Sequence, residues 1–145
     1  MGTTVSMVTL ARHMAFWGHV GDSRIYLYRD GEFKQISVDH TIVQVLLEKG
    51  KITEEEAMDH PQRHVLTRAV GVDENLVVDS GAFEVQPKDR ILICSDGLTS
   101  FIQKQELYDA IGDYRRTERE IINDLFARVY ENGAKDNITA ILTTI

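Results

Sequence analysis

Three aspartates lie at the ends of apolar segments, where their carboxylates could converge on a ligand. Asp96 follows a continuous apolar run, Asp136 comes just before the last apolar segment, and Asp22 lies between two segments rich in β-forming residues. If the three side chains meet, a site built from carboxylates alone favours hard divalent ions such as Mg²⁺ or Mn²⁺ over Zn²⁺. Taken singly, each aspartate is more typical of a turn or a cap, and spacing alone does not prove convergence.

Other phosphate and metal chemistries find little support in the sequence. Cys94 is followed six positions later by Ser100, where a cysteine-based phosphatase needs an arginine to hold phosphate. No P-loop motif is present. His60 and His64 have the i, i+4 spacing of two zinc ligands, but Pro61 between them disfavours a shared helix face. Cys94, inside an apolar strand, is expected in the core.

The composition is that of a globular chain with an acidic balance. Of its 145 residues 43% are hydrophobic and 27% are charged, and the net charge is −7, which favours one folded domain. Because no run of lysine and arginine is present, binding to nucleic acid is not expected. A single cysteine permits no intramolecular disulfide and no apolar run approaches a membrane span, so a cytoplasmic protein without membrane contact is expected.

β-branched and aromatic residues dominate four short segments at the start of the chain. The predicted strands are 3–10, 14–20, 25–28 and 33–36. Asp30-Gly31 between the last two predicts a tight hairpin, because glycine tolerates the positive φ that a primed turn requires. The opening is therefore predicted to be an antiparallel meander, with Asp22 at a bend or bulge between two of its strands.

Helical and extended segments alternate through the rest of the chain. Apolar residues at helical spacing predict a helix that stops at Gly50, and Thr53 with Glu56 forms a capping box for a second, short helix. Further strands are predicted over 76–85, 90–94 and 138–145, and further helices over 104–111 and 117–130. Seven strands and about five helices, with antiparallel pairing at the start, indicate an α+β fold.

Six motifs occur together in an order that turn chemistry alone does not explain. The motifs are Gly2-Thr3-Thr4, Val20-Gly21-Asp22-Ser23-Arg24, Asp39-His40, Val65-Leu66-Thr67-Arg68-Ala69-Val70-Gly71, Cys94-Ser95-Asp96-Gly97-Leu98 and Asp136-Asn137-Ile138-Thr139. With these motifs in this order, the chain resembles the PPM-type phosphatases, which are metal-dependent protein serine/threonine phosphatases. The segment 46–61 is most similar to the mobile flap of bacterial members that act on targets of Ser/Thr kinases.

The resemblance implies an antiparallel β-sandwich flanked by helices and a binuclear Mg²⁺ or Mn²⁺ centre that activates a water for attack on the phosphoester. By position, Asp96 and Asp136 resemble ligands of the core centre. Asp22 together with Asp96 resembles the pair that holds a third, weaker metal. His64, in a flap region of about 39–64, resembles a substrate-contacting residue, and an exposed loop histidine is an equally good interpretation.

The chain also departs from the family pattern. The family's domain begins earlier, with a phosphate-binding arginine, an acidic metal motif and an Asp-Gly-x-Gly-Gly segment whose aspartate bridges both metals. Residues 1–145 are therefore expected to form a partial domain that lacks the N-terminal part, and Ser100 stands where an aspartate is common. With fewer oxygen ligands, metal should bind loosely, so the isolated chain is expected to be weakly active or inactive.

Two functions stay open on the sequence. The first is metal-dependent hydrolysis of phosphoserine and phosphothreonine in proteins by a complete domain, with a Ser/Thr kinase as the opposing enzyme. The second is a catalytically dead phosphatase-like module that binds phosphoproteins or regulates a partner. Strand edges left without a neighbour would, in either case, favour self-association.

Overall fold

The computed structural model describes residues 1–134 and 136–145 and contains two antiparallel sheets packed as a sandwich. Strands β1 to β7 span Val5–Ala11, Met14–Val20, Arg24–Arg29, Glu32–Gln35, Asp79–Glu84, Arg90–Cys94 and Ala140–Thr144. One sheet has the order β1-β2-β5 and the other the order β4-β3-β6-β7. The sandwich and the α+β class agree with the prediction from sequence.

The described residues contain five helices. Helices α1 to α5 span Ile42–Glu48, Glu54–Met58, Asp96–Thr99, Lys104–Ile111 and Glu118–Glu131. Thr53 and Thr117 begin α2 and α5 with capping boxes, in which the threonine hydroxyl and a glutamate carboxylate each accept a free amide hydrogen of the first turn. Within the described ranges, no helix combines the length and the apolar character needed to cross a membrane.

Two apolar clusters join the layers. Between the sheets, Ile25 and Ile91 are buried, and Trp17 and Phe83 of the other sheet pack near them. The second cluster fills the space between the four-stranded sheet and helices α3 to α5. Its fully buried members include Leu92, Leu98, Leu107, Ile111, Ile121, Leu125 and Val129. Each such side chain contributes about 1.5–3 kcal/mol by leaving water.

Strand β6 is covered on both faces, as its continuous apolar sequence predicts. Ile91 faces the other sheet, whereas Leu92 and Cys94 face the helices. Cys94 is 2% exposed, and burial raises the pKa of its thiol to about 12. The prediction that Cys94 is a core residue is confirmed.

The opening strands do not form one meander, and this prediction is wrong. β1 pairs with β2 and β3 pairs with β4, but β2 continues to β5 whereas β3 continues to β6. The chain changes sheets at a bend where Gly21 has a φ of 112°. Asp30 and Gly31 have the positive φ values of the predicted hairpin turn. Periodicity indicates the two faces of a strand, but not which strand pairs with its second edge.

The outer face of the three-stranded sheet carries exposed apolar side chains. Met7 is 54% exposed and Phe16 is 50% exposed. Because side chains alternate along a strand, their neighbours Val8 and Trp17 point to the other face, into the sandwich. This sheet therefore buries one face only, as far as the described residues show.

Candidate functional site

Asp22 and Asp96 lie at the same edge of the four-stranded sheet because of the register between β3 and β6. Arg24, at the start of β3, is paired with Cys94, at the end of β6, and the two strands are antiparallel. Asp22 comes shortly before that pair and Asp96 shortly after it, so both residues lie beyond the same end of these two strands. The strand pairing thus brings together two of the three predicted ligands.

The electrostatics of this pair are those of an unneutralised site. Burial raises the pKa of Asp22, and the nearby carboxylates of Asp96 and Asp39 raise it further. No lysine or arginine among the described residues forms an ion pair with Asp22 or Asp96. Two close carboxylates without such a partner are a donor set that fits a hard divalent cation.

Glycines beside the two aspartates allow a close approach of the backbone. Gly21 has a φ of +112°, and a Cβ there would collide with the side chain of Thr4. A Cβ on Gly97 would collide with the carbonyl oxygen of Asn137. Glycine is the residue that tolerates both demands. The second contact packs α3 directly against the loop that carries Asp136.

Asp136 does not join the other two carboxylates in one cluster. It is exposed, and its Oδ1 accepts the amide hydrogen of Asn137 at 2.8 Å. In the described part of the chain, no three His, Cys, Asp or Glu side chains lie close enough together to hold one metal ion. The structure brings together Asp22 and Asp96, and the role of Asp136 as a ligand stays a prediction.

A cavity of about 760 Å³ opens beside the acidic pair. Its walls come from α1 and α2, from the start of α4, and from β3 and β4. His64 lies at this cavity, and its Nδ1 is 3.9 Å from Oδ2 of Asp96. The His64 side chain is 54% exposed. It can therefore reach a ligand bound at the acidic pair, and its contact with substrate stays a prediction.

An ion pair on the cavity wall was not predicted from the sequence. Nε and Nη2 of Arg24 donate to the carboxylate of Asp39 at 2.9 and 2.6 Å. Tyr26 accepts from Nη1 of Arg24, and Gln35 donates to Asp39. Burial opposes the charge of Arg24, but the hydrogen bond and negative charge of Asp39 together with the interaction with Tyr26 outweigh it, so the pKa of Arg24 is raised. Both residues occur in the motifs above, and the 15 positions between them hid their contact.

The fold defines the class of protein, since it is that of bacterial serine/threonine phosphatases. The crystal structure of the Mycobacterium tuberculosis serine/threonine phosphatase PstP/Ppp matches with a TM-score of 0.93 and 36% identity, covering 100% of this chain and 60% of that one. The catalytic domain of the serine/threonine protein phosphatase PstP in complex with two manganese ions matches with a TM-score of 0.83 and 34% identity, covering 98% and 58%.

A sequence profile of the family described as Protein phosphatase 2C matches residues 1–143, and the chain belongs to this family. A curated relative, the serine/threonine phosphatase stp of Listeria welshimeri, is 36% identical over 142 residues. That alignment covers 98% of this chain and 56% of the relative. The chain thus spans little more than half the length of the relative. The resemblance to bacterial PPM-type phosphatases is confirmed.

Proposed function

We propose that this chain supplies part of the active site of a protein phosphatase that hydrolyses phosphoserine and phosphothreonine in proteins with Mg²⁺ or Mn²⁺. The observation that carries this proposal is that Asp22 and Asp96 lie together at a cavity. Among the residues that the structure describes, no lysine or arginine forms an ion pair with either of them. Asp96 and Asp136 would serve as ligands of the core metal centre, and Asp22 with Asp96 would hold a further, weaker metal; when bound, the metal ions supply Lewis acidity and an activated water.

The residues around the acidic pair support a role in binding a phosphorylated side chain. The flap region, about 39–64, contains α1 and α2 and forms one wall of the cavity. His64 at the end of this flap would contact the substrate phosphate, since its ring lies beside Asp96. Phosphorylated proteins are the proposed substrates, in keeping with the relatives, which are serine/threonine phosphatases, and a Ser/Thr kinase is the proposed opposing enzyme.

Titration calorimetry with Mn²⁺ tests the metal site directly. The chain is compared with Asp96→Asn and with Asp109→Asn, a control on α4 whose exposed carboxylate lies outside the cavity. Binding that is lost in Asp96→Asn and kept in Asp109→Asn is expected. If the wild-type chain binds no Mn²⁺, these 145 residues do not form the proposed metal site.

A p-nitrophenyl phosphate assay on the same samples separates catalysis from binding. Because the described residues gather two close carboxylates rather than three, we expect weak turnover or none from the 145 residues alone. That same observation favours the second candidate, a phosphatase-like module that binds phosphoproteins or regulates a partner without turnover. Metal binding without turnover, even after addition of the remaining domain of a relative, would support the module.

We also propose that the chain associates with itself through its sheet edges. β1 and β7 end their sheets, and Ile141 of β7 is 59% exposed. The exposed face that includes Met7 and Phe16 adds apolar surface. Sedimentation velocity over a range of concentrations is expected to show dimers or larger species. A monomer at every concentration would contradict this proposal.

The four-stranded sheet contributes strands to both apolar clusters. Because the two clusters share this sheet, residues 1–145 are proposed to form a single partial phosphatase domain. The single cysteine is buried and free, which supports a cytoplasmic location. Limited proteolysis should show one protected core, and cell fractionation checks the compartment.

A further inference from the structure

We propose that His40 is a positioning residue for Asp22, which it holds through the backbone of Gly21; this inference rests on the metal site proposed above. Gly21 donates its N–H to Nδ1 of His40 at 3.0 Å, and its carbonyl oxygen accepts the N–H of His40 at 2.8 Å. His40 therefore occupies both polar backbone groups of the residue next to Asp22. Because Gly21 is otherwise free to turn, these two bonds fix the direction in which the chain enters Asp22.

The partners of His40 define which ring nitrogen carries the proton. A backbone N–H can only donate, so Nδ1 is an acceptor and we assign the proton of the neutral ring to Nε2. Nε2 then donates to Oδ2 of Asp79 at 2.8 Å, and Nη1 of Arg68, which lies 3.1 Å from Nε2, donates to Oδ1 of Asp79 instead of to the protonated ring nitrogen. The carboxylate of Asp79 beside Nε2 thus favours the tautomer in which Nδ1 can accept the amide hydrogen of Gly21.

Asp79 is itself held in place as a carboxylate. The hydrogen bond from His40 lowers the pKa of Asp79, and the hydrogen bond from Arg68 lowers it further against the effect of burial. Nη1 of Arg68 donates to Oδ1 of Asp79 at 2.9 Å. Asp79 begins β5 in the three-stranded sheet. The network of Arg68, Asp79 and His40 therefore connects that sheet to the bend at Gly21.

Burial makes the arrangement rigid. His40 is 4% exposed, so water has little access to replace its bonds. Its carbonyl oxygen accepts the N–H of Thr67 at 2.9 Å, which fixes the backbone of His40 as well as its ring. A residue whose ring and backbone are both anchored can impose its geometry on a flexible neighbour such as Gly21.

Two substitutions of His40 separate positioning from burial. In His40→Asn, the amide oxygen takes the place of Nδ1 and still accepts from Gly21, but the bond to Asp79 is lost. In His40→Gln, the longer amide reaches the place of Nε2 and can still donate to Asp79, but no acceptor faces Gly21. Both variants lose the ring and each keeps one of the two contacts, so the sign of the difference between them reports whether the contact with Gly21 or the contact with Asp79 matters more.

Mn²⁺ affinity by calorimetry and amide hydrogen exchange at Gly21 and Asp22 are measured for wild type, both variants and a Ser37→Ala control. Ser37 is 2% exposed and its hydroxyl accepts the N–H of Ile25 at 3.0 Å, so the control loses a buried hydrogen bond away from Gly21. We expect His40→Gln to weaken Mn²⁺ binding by about 10- to 100-fold, with faster exchange at the bend. His40→Asn and Ser37→Ala should keep most of the affinity.

Equal losses of Mn²⁺ affinity in His40→Asn, His40→Gln and Ser37→Ala would overturn the proposal, because general destabilisation would then explain them. If the wild-type chain binds no Mn²⁺, the metal site fails and hydrogen exchange alone decides the positioning role. Exchange at Gly21 and Asp22 that is no faster in His40→Gln than in His40→Asn would overturn it.

Discussion

The two ends of β6 have opposite electrostatic environments. Arg90 begins the strand and is 3% exposed, and each nitrogen of its guanidinium has at least one hydrogen-bond partner. Its guanidinium donates to the carbonyl oxygens of Ile111 at 2.7 Å, Asp113 at 3.1 Å and Arg116 at 3.3 Å, and to the hydroxyl of Thr144 at 3.1 Å. The ring of Tyr114 lies 4.1 Å from its Cζ. This charge joins the end of α4 to the sheet.

Beyond the other end of the strand, Asp96 and Asp22 lie together. In the part of the chain that the structure describes, neither carboxylate forms an ion pair with a lysine or an arginine. Hydrogen bonds at every nitrogen offset the cost of burying the charge of Arg90, whereas close like charges cost stability until a ligand neutralises them. One short strand therefore connects a closed, structural end to an open end that is available to a cation.

The largest expected effect is at the closed end. Arg90→Ala leaves several backbone carbonyls without a donor and should lower the free energy of unfolding by about 3 kcal/mol. Urea denaturation followed by circular dichroism measures this change. Arg115→Ala is the matched control, because that side chain is 90% exposed, and it should change stability little. Similar losses of unfolding free energy in Arg90→Ala and Arg115→Ala would show that the buried guanidinium stabilises the fold no more than an exposed one.

Asp89, next to Arg90, gives the closed end its pH dependence. Burial alone would raise the pKa of Asp89, but hydrogen bonds from Arg29 and from the amide of Gln86 outweigh it, so the pKa is lowered. Its stabilisation is therefore present at neutral pH and lost as the pH falls below about 4. Asp89→Asn should cost about 2 kcal/mol at neutral pH, less than a fully buried pair because Arg29 is 29% exposed.

Urea unfolding at neutral pH and at about pH 3 checks the role of Asp89. The difference in stability between wild type and Asp89→Asn should shrink at the lower pH, where the wild-type carboxylate takes up a proton. A difference that stays constant across this range would show that Asp89 does not stabilise the fold as a carboxylate.

Helix capping offers a smaller contrast between the two ends. Thr117→Ala removes the capping box of α5, which buries three residues against the sheet, and should cost about 1 kcal/mol of global stability. Thr53→Ala removes the same motif from α2, which has no buried residue, and should mainly loosen α2 itself. Hydrogen exchange resolves the two outcomes. A global loss of stability from Thr53→Ala would mean that α2 is part of the cooperative core.

The smallest expected effect has the opposite sign. Asp22→Asn removes one of two neighbouring carboxylates and should raise the unfolding free energy of the metal-free chain by about 0.5 kcal/mol. Excess Mn²⁺ should reverse the order, since it would stabilise wild type more than the variant. Thermal unfolding with Mn²⁺ and with a chelator measures both. A destabilised, metal-free Asp22→Asn would contradict the idea of an open acidic end.

Local chemistry in the sequence predicted much of the fold. The strands Met14–Val20 and Arg90–Cys94 and the helix Lys104–Ile111 begin and end where the sequence predicts, because hydrophobic pattern and turn residues mark those limits. The predicted strand 76–85 is shorter, and the short helix Asp96–Thr99 was not predicted. Four residues are too few for a periodic pattern to be recognised.

The contacts of the candidate site were harder to predict. The pair Arg24–Asp39 and the contact of His40 with Gly21 join residues 15 and 19 positions apart. Each depends on the change of sheets at Gly21, which local propensity does not encode. The family motifs supplied the three aspartates of the hypothesis, and the register of β3 with β6 then shows that Asp22 and Asp96 lie beyond the same end of these two strands.

That register also has a consequence for the order of folding. Arg24 and Cys94 meet through a strand pairing that closes a long stretch of chain, and such non-local contacts form slowly. The acidic pair therefore cannot exist in an early collapsed state that contains only the local hairpins. A cation that needs both carboxylates would bind the chain only after this pairing has formed. Its binding would therefore indicate that a late step of folding is complete, and it would stabilise the chain in that paired state.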